Sequence, residues 1–108
     1  MDKLRTKTLL DDCDSDDYLL QTKALLKLVD AEVYEAVPQI VKLVKSPNSS
    51  VRADAARALG YLGSEEIETV GPALITLLDD EEELVRSEAV EALGQLDYTP
   101  AVAPIEYI

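Results

Sequence analysis

The amino-acid sequence predicts an all-α fold, an α-solenoid of about three helix hairpins stacked side by side. A block of small and apolar residues recurs after 34 residues, and the apolar positions inside each segment follow a helical period. The chain has 108 residues, 47% hydrophobic and 30% charged, as expected of one small globular array. Tyrosine is the only aromatic residue type present, so we expect an aliphatic core.

The repeat is clearest in the second helix of each predicted hairpin. VRADAARALGYL at 51–62 aligns with VRSEAVEALGQL at 85–96, an offset of 34 residues. One further step back reaches DYLLQTKALLKL at 17–28, a degenerate copy in which Tyr18 stands where the other copies have Arg. We expect a single domain over 1–108 with these parts: units of about 3–36, 37–69 and 70–101, and a remainder at 102–108 that is a partial helix or a cap.

The first helices are marked by prolines. Pro38 in VPQIVKLV and Pro72 in VGPALITLL share the 34-residue offset. A missing N–H costs little in the first turn of a helix, so we expect Pro38, Pro72 and Pro104 in first turns.

Polar turns separate the helices of each pair. SPNSS at 46–50 and DDEEE at 79–83 offer N-caps for the second helices, and Asp80 with Glu83 has the spacing of a capping box. At the other end of the second helices, Gly63 is expected to adopt a left-handed conformation, with Asp97 at the equivalent position of the next copy.

The acidic run DDCDSDD at 11–17 places carboxylates at alternate positions, as a calcium-binding loop does. Asp17 stands where that loop needs glycine, and Lys23 stands where it needs a bidentate glutamate. We therefore interpret the run as an inter-helix turn that supplies N-caps, and we expect no metal site.

The VRxxAxxALGxLG block, preceded by an xPxxxxLL helix and a polar turn, resembles HEAT-like repeats of the phycobilisome-lyase type over about residues 3–101. The resemblance implies right-handed stacking of hairpins, with the first helices on the convex side and the second helices on the concave side. It also implies that partners bind on the concave side.

Eight candidate binding residues follow from this register: Lys23, Lys27, Asp54, Arg57, Tyr61, Glu88, Glu91 and Gln95. The face that they form runs from basic in the first unit to acidic in the third. We therefore expect a protein partner of basic character at the third unit, with Tyr61 as a central aromatic anchor.

Two further pairs of repeated residues are interpreted as structural. Arg52 and Arg86 begin the second helices, where a cation needs a nearby acid or carbonyl, and we expect each to join neighbouring units. Gly60 and Gly94 lie within the helical pattern, which favours close helix packing over a phosphate-binding loop.

Composition excludes several functional classes. The chain has no histidine, so that Ser-His-Asp, Cys-His and imidazole chemistry are excluded, and Cys13 has no second cysteine for a disulfide. A formal net charge of −12 disfavours nucleic acid, and there is no apolar run of about 18 residues for a membrane span.

We therefore expect a cytoplasmic, non-enzymatic scaffold for protein–protein interaction, without catalytic residues, cofactor or metal. The alternative that the family resemblance offers is a subunit or fragment of a bilin lyase or a related chromophore-handling factor. A third alternative is a self-assembling unit, a homodimer formed through the C-terminal end at 101–108.

Overall fold

The computed structural model describes residues 3–98, and within that range the regular structure is helical throughout. Its α-helices are α1 (Lys3–Cys13), α2 (Tyr18–Asp30), α3 (Val37–Leu43), α4 (Ser49–Leu62), α5 (Ile67–Thr76) and α6 (Glu83–Gln95). The all-α helical-repeat fold is thereby confirmed. The expectations for Pro104 and for the remainder at 102–108 lie outside the described residues.

The helices form two layers. Each odd-numbered helix packs on the even-numbered helix that follows it, so that α1 with α2, α3 with α4, and α5 with α6 are the three hairpins. The second helices α2, α4 and α6 also pack on one another in that order. Helix α5 begins at Ile67, so the expected start of the third unit near residue 70 falls inside it.

The interior is aliphatic, as expected from the composition. Its largest fully buried side chains recur in register, for example Leu25 with Leu59, and Val51 with Val85. Burial of each such side chain contributes roughly 1.5–3 kcal/mol to the stability of the fold. In a repeat array the buried faces lie between adjacent units, so contacts between neighbours hold the stack together.

Two of the three turns supply side-chain N-caps to second helices, as expected. Asn48 caps α4, since its side-chain oxygen accepts a hydrogen bond from the Val51 N–H at 3.1 Å. Asp17 caps α2 and accepts from the N–H groups of Leu19 and Leu20 at 2.9 and 3.3 Å. The acidic run at 11–17 therefore comprises the end of α1, the turn that follows it and the N-cap of α2.

The capping box expected at Asp80 and Glu83 is wrong. The N-cap of α6 is Glu82, whose side chain makes no capping hydrogen bond. The Asp80 carboxylate accepts from the Glu82 N–H at 2.9 Å, and it also binds the guanidinium of Arg52. The carboxylate that the local pattern assigned to α6 instead binds an arginine of the preceding unit.

One proline and one glycine also depart from expectation. Pro38 lies in the first turn of α3, as predicted, but Pro72 lies inside α5, because that helix already begins at Ile67. Gly63 has φ −93°, so a left-handed conformation is not what selects glycine there. A Cβ at Gly63 would stand 2.6 Å from the Leu59 carbonyl oxygen, and close packing excludes it.

The left-handed conformation expected at Asp97 is confirmed, with φ 54°. Glu32, after α2, has a similar φ of 53°. Two of the three second helices are thus followed by a non-glycine residue in this conformation.

Cys13 is buried at the end of α1, where its carbonyl oxygen accepts a hydrogen bond from the Gln21 side chain at 3.0 Å. Burial, reinforced by the carboxylates of Asp14 and Asp12, raises the pKa of the Cys13 thiol to about 11.

We predict that Cys13 resists thiol reagents in the folded protein. At pH 8 a thiol of pKa about 11 has roughly 100-fold less thiolate than one at the ordinary value of 9.0, and burial slows access further. The modification rate with a chromogenic disulfide reagent should be more than about 100-fold lower in buffer than in urea. Equal rates in the two solvents would contradict this environment.

Candidate interaction surface

A cleft opens between the second helices α2 and α4, and we call it the central cleft. Its volume is about 570 Å³. Its floor is mostly apolar and its rim charged, and its lining residues are Thr22, Lys23, Leu25, Leu26, Val29, Asp30, Asp54, Arg57, Ala58 and Tyr61. Four of the candidate residues are among them: Lys23, Asp54, Arg57 and Tyr61.

The other candidates lie in two neighbouring places. A smaller depression of about 70 Å³ lies between α4 and α6, where Arg57 and Tyr61 meet Glu88, Glu91 and Gln95. Lys27 instead lines a groove of about 750 Å³ between α1 and α2, which we call the end groove. The end groove is lined by Leu4, Arg5, Thr8, Leu9, Asp12, Lys27, Asp30 and Ala31.

The central cleft lies where a leucine stands in place of a glycine. In α4, a Cβ on Gly60 would stand 3.0 Å from the Ala92 Cα and would also collide with the Gln95 side chain, so α4 and α6 approach closely. The equivalent position in α2, one repeat earlier, is Leu26, which is 61% exposed and lines the cleft. An isobutyl group is too large for so close an approach, and although α2 and α4 pack on each other, the central cleft opens between them at this position.

Arg57 neutralises part of the expected charge gradient. Its Nε donates to Glu88 Oε2 at 2.6 Å, and its Nη1 lies 3.7 Å from Asp54 Oδ1. The hydrogen bond to Glu88 raises the pKa of Arg57. Glu91 makes no ion pair within residues 3–98, so it is the unneutralised acid among the candidates of the third unit.

Asp54 is the electrostatically unusual group of the central cleft. Burial raises the pKa of its carboxyl group, although nearby Arg57 acts in the opposite direction. The partly desolvated Asp54 carboxylate has one cation, Arg57 at 3.7 Å, and gains from a second cation, such as a lysine or arginine side chain of a bound protein.

Arg52 joins the second unit to the third. Its Nε and Nη2 donate to the two Asp80 carboxylate oxygens at 2.7 and 3.1 Å, while its Nη1 donates to the Ser46 carbonyl at 2.8 Å. Arg86 repeats the second contact and donates to the Asp80 carbonyl at 2.6 Å. The sequence pattern predicted an acid or a carbonyl near each arginine but did not identify Asp80. The link between neighbouring units is found at Arg52, whereas the Arg86 contact stays within the third unit.

Sequence reasoning also missed the apolar part of the cleft, notably Leu26 and Val29. One signal was present, since the ALG of the two clear copies becomes ALL at residues 24–26. The first unit departs from the other two copies at several positions, so this one substitution does not by itself predict a cleft.

Within residues 3–98 there is no group of three or more potential metal-ligating His, Cys, Asp or Glu side chains. In the same range, each helix is too short or too polar to cross a membrane.

Comparison with known proteins identifies the repeats. A family model described as HEAT repeats matches residues 6–70, more than half of the chain, and one described as HEAT repeat matches residues 70–97. Comparison with curated proteins gave no match. The phycobilisome-lyase subtype, and with it the bilin-lyase alternative, stays a prediction. HEAT repeats are generally protein-interaction scaffolds. The chain belongs to the HEAT repeat family.

Proposed function

We propose that this protein is a non-enzymatic scaffold that holds another protein along the face of its second helices. The observation that carries the proposal is the central cleft, which combines an apolar floor with two large exposed side chains, Leu26 and Tyr61. Leu26 is 61% exposed and Tyr61 is 54% exposed, and both offer apolar area that a partner would remove from water.

The charges of this face indicate the chemistry of the partner. Asp54 lies in the cleft with its pKa raised by burial, and Glu91 lies beside the smaller depression without an ion pair in the described residues. An amphipathic segment fits best, with an apolar side chain that enters the cleft beside Leu26 and basic side chains that reach Asp54 and Glu91.

We predict that the cleft leucine and tyrosine dominate binding. The partner would be recovered by affinity capture from the native source and its affinity then measured in vitro. Leu26→Ser and Tyr61→Ala should each weaken binding about 10- to 100-fold, because both remove apolar contact at the centre of the interface. Leu19→Ser is the matched control, since Leu19 is an exposed leucine of α2 that does not line the cleft.

Loss of the partner from the Leu26→Ser and Tyr61→Ala proteins, with retention by Leu19→Ser, supports the proposal. Equal affinity for all four proteins would show that the partner binds elsewhere. Circular dichroism of each variant checks that the fold is intact.

The basic character of the partner is tested separately at Glu91. Glu88 is unsuitable for this test, because reversing its charge would break the internal pair with Arg57. Glu91→Lys should weaken binding and reduce its salt dependence, whereas Glu65→Lys, an equal charge change on an exposed turn, should not. Unchanged affinity in Glu91→Lys would eliminate the contact with a basic group.

A further inference from the structure

The contact between the second and third units has a recognisable charge pattern. Arg52, at the start of α4, is paired with Asp80 in the turn before α6, and the side chains are only 13% and 8% exposed. One repeat earlier, the equivalents of this arginine and this aspartate are Tyr18 and Ser46, so a unit without the arginine is followed by a unit without the aspartate. At one internal junction these two positions thus carry opposite charges, and at the other both are uncharged.

The two ends of the stack carry the unmatched halves of the same pattern. At the C-terminal end, Arg86 is equivalent to Arg52 and contacts the Asp80 carbonyl. No carboxylate in residues 3–98 lies within ion-pair distance of Arg86, although its charge helps to lower the pKa of Asp80. At the N-terminal end, Asp12 is equivalent to Asp80, two repeats earlier, and its carboxylate has no ion pair in the same range. Each end thus offers the charge that the other end lacks.

Packing at the ends follows the same register. Gly60 of α4 is buried against Gln95 of α6, but the equivalent Gly94 is exposed, with nothing in the described residues within 4 Å of where its Cβ would stand. The first-unit equivalent of Gln95 is Lys27. Lys27 and Asp12 both line the end groove. The first-unit equivalents of Gln95 and Asp80, which receive Gly60 and Arg52 inside the chain, therefore lie together in one open recess.

We propose that the chain associates head to tail, with the α6 end of one copy docked in the end groove of a second copy. Arg86 then pairs with Asp12 of the second copy, as Arg52 pairs with Asp80 inside the chain. Gly94 lies against Lys27 of the second copy, as Gly60 lies against Gln95 inside the chain. This contact is heterologous, and of the residues that line the central cleft it involves only Lys23 and Asp30. It does not depend on the proposed scaffold function.

A second charge pair supports the direction of stacking. Inside the chain, Arg57 and Tyr61 of α4 border the same depression as Glu91 and Gln95 of α6. At the proposed junction their equivalents are Glu91 and Gln95 of one copy against Lys23 and Lys27 of the next. The acidic end of the face therefore meets the basic end, which favours head-to-tail over head-to-head contact.

Sedimentation velocity of the full 108-residue chain in about 0.15 M salt tests the proposal, from about 10 μM to about 1 mM. The sedimentation coefficient should rise continuously with concentration. Arg86→Asp and Asp12→Arg should each weaken association at least about tenfold, and the double variant should recover it because the two charges are exchanged. Gly94→Leu should also weaken association, since the new side chain fills the space that the second copy needs.

Asp16→Arg is the control, because it makes the same charge change at an exposed position of the same acidic run, outside the end groove, and should associate like the unmodified chain. If Arg86→Asp impairs folding by disturbing its bond to Asp80, Asp12→Arg at the opposite end still carries the test. A monomer at every concentration overturns the proposal. So does a dimer that Asp12→Arg leaves unchanged, which is the expected behaviour of a symmetric contact through α6 alone.

Discussion

Replacing Asp80 with alanine is expected to lower the free energy of unfolding by about 3 kcal/mol. The substitution leaves the guanidinium of Arg52, only 13% exposed, without the carboxylate that accepts two of its hydrogen bonds. It also removes the acceptor of the Glu82 N–H. Urea unfolding followed by circular dichroism measures the change.

A matched control is available in the exposed ion pair of Lys7 and Asp11, whose side chains are 71% and 64% exposed. Asp11→Ala should cost less than about 0.5 kcal/mol, because water screens and replaces such a pair. If Asp80→Ala were no more destabilising than Asp11→Ala, the junction between the second and third units would not depend on Arg52 and Asp80.

The same pair gives stability a defined pH dependence. The hydrogen bond from Arg52 lowers the pKa of Asp80 below its ordinary value of 3.8. A carboxyl group with a lowered pKa in the folded state stabilises the fold above its unfolded pKa, and that contribution is lost as the pH falls through the folded pKa. The stability advantage over Asp80→Asn should therefore be constant near neutral pH and shrink below about pH 4.

Replacing Gly60 with leucine is the second large effect, an expected loss of about 3 kcal/mol. A Cβ alone would already stand 3.0 Å from the Ala92 backbone, so a full isobutyl group forces α4 and α6 apart. The separation exposes apolar surface that the two helices now bury against each other.

Gly94→Leu is the control, since it makes the same change at the equivalent position of α6. There, no neighbouring atom of the described residues lies within 4 Å of the point where a Cβ would stand. It should be neutral or stabilising by about 0.5 kcal/mol, because leucine is a better helix former than glycine. The stabilities of Gly60→Leu and Gly94→Leu, each measured by thermal and urea unfolding, should therefore change in opposite directions or by very different amounts. Similar losses in the two variants would contradict the close packing assigned to Gly60.

Much of the fold was predictable from the sequence because its determinants are local. The helices follow from periodic apolar residues, and the N-caps at Asp17 and Asn48 follow from side chains that reach only two or three residues along the chain. The 34-residue repeat then predicts that successive hairpins stack, since each must bury its apolar face on a neighbour. None of this requires knowledge of distances between helices.

The candidate site was predictable only in part, because it depends on how closely neighbouring helices approach. The repeat register identified Lys23, Arg57 and Tyr61, which do line recesses, but it gave no sign that Arg57 binds Glu88 or that Leu26 opens a cleft. Those features are contacts between residues about one repeat apart.

The sequence by itself therefore determined the helical repeat, its aliphatic core and the polarity of its surface. The tertiary structure decided that Asp80 binds Arg52 instead of capping α6, that Pro72 lies inside α5, and that a cleft opens between the packed helices α2 and α4. The physical reason is that side-chain volume and charge act over a few ångströms, and only the packed fold brings distant residues within that range.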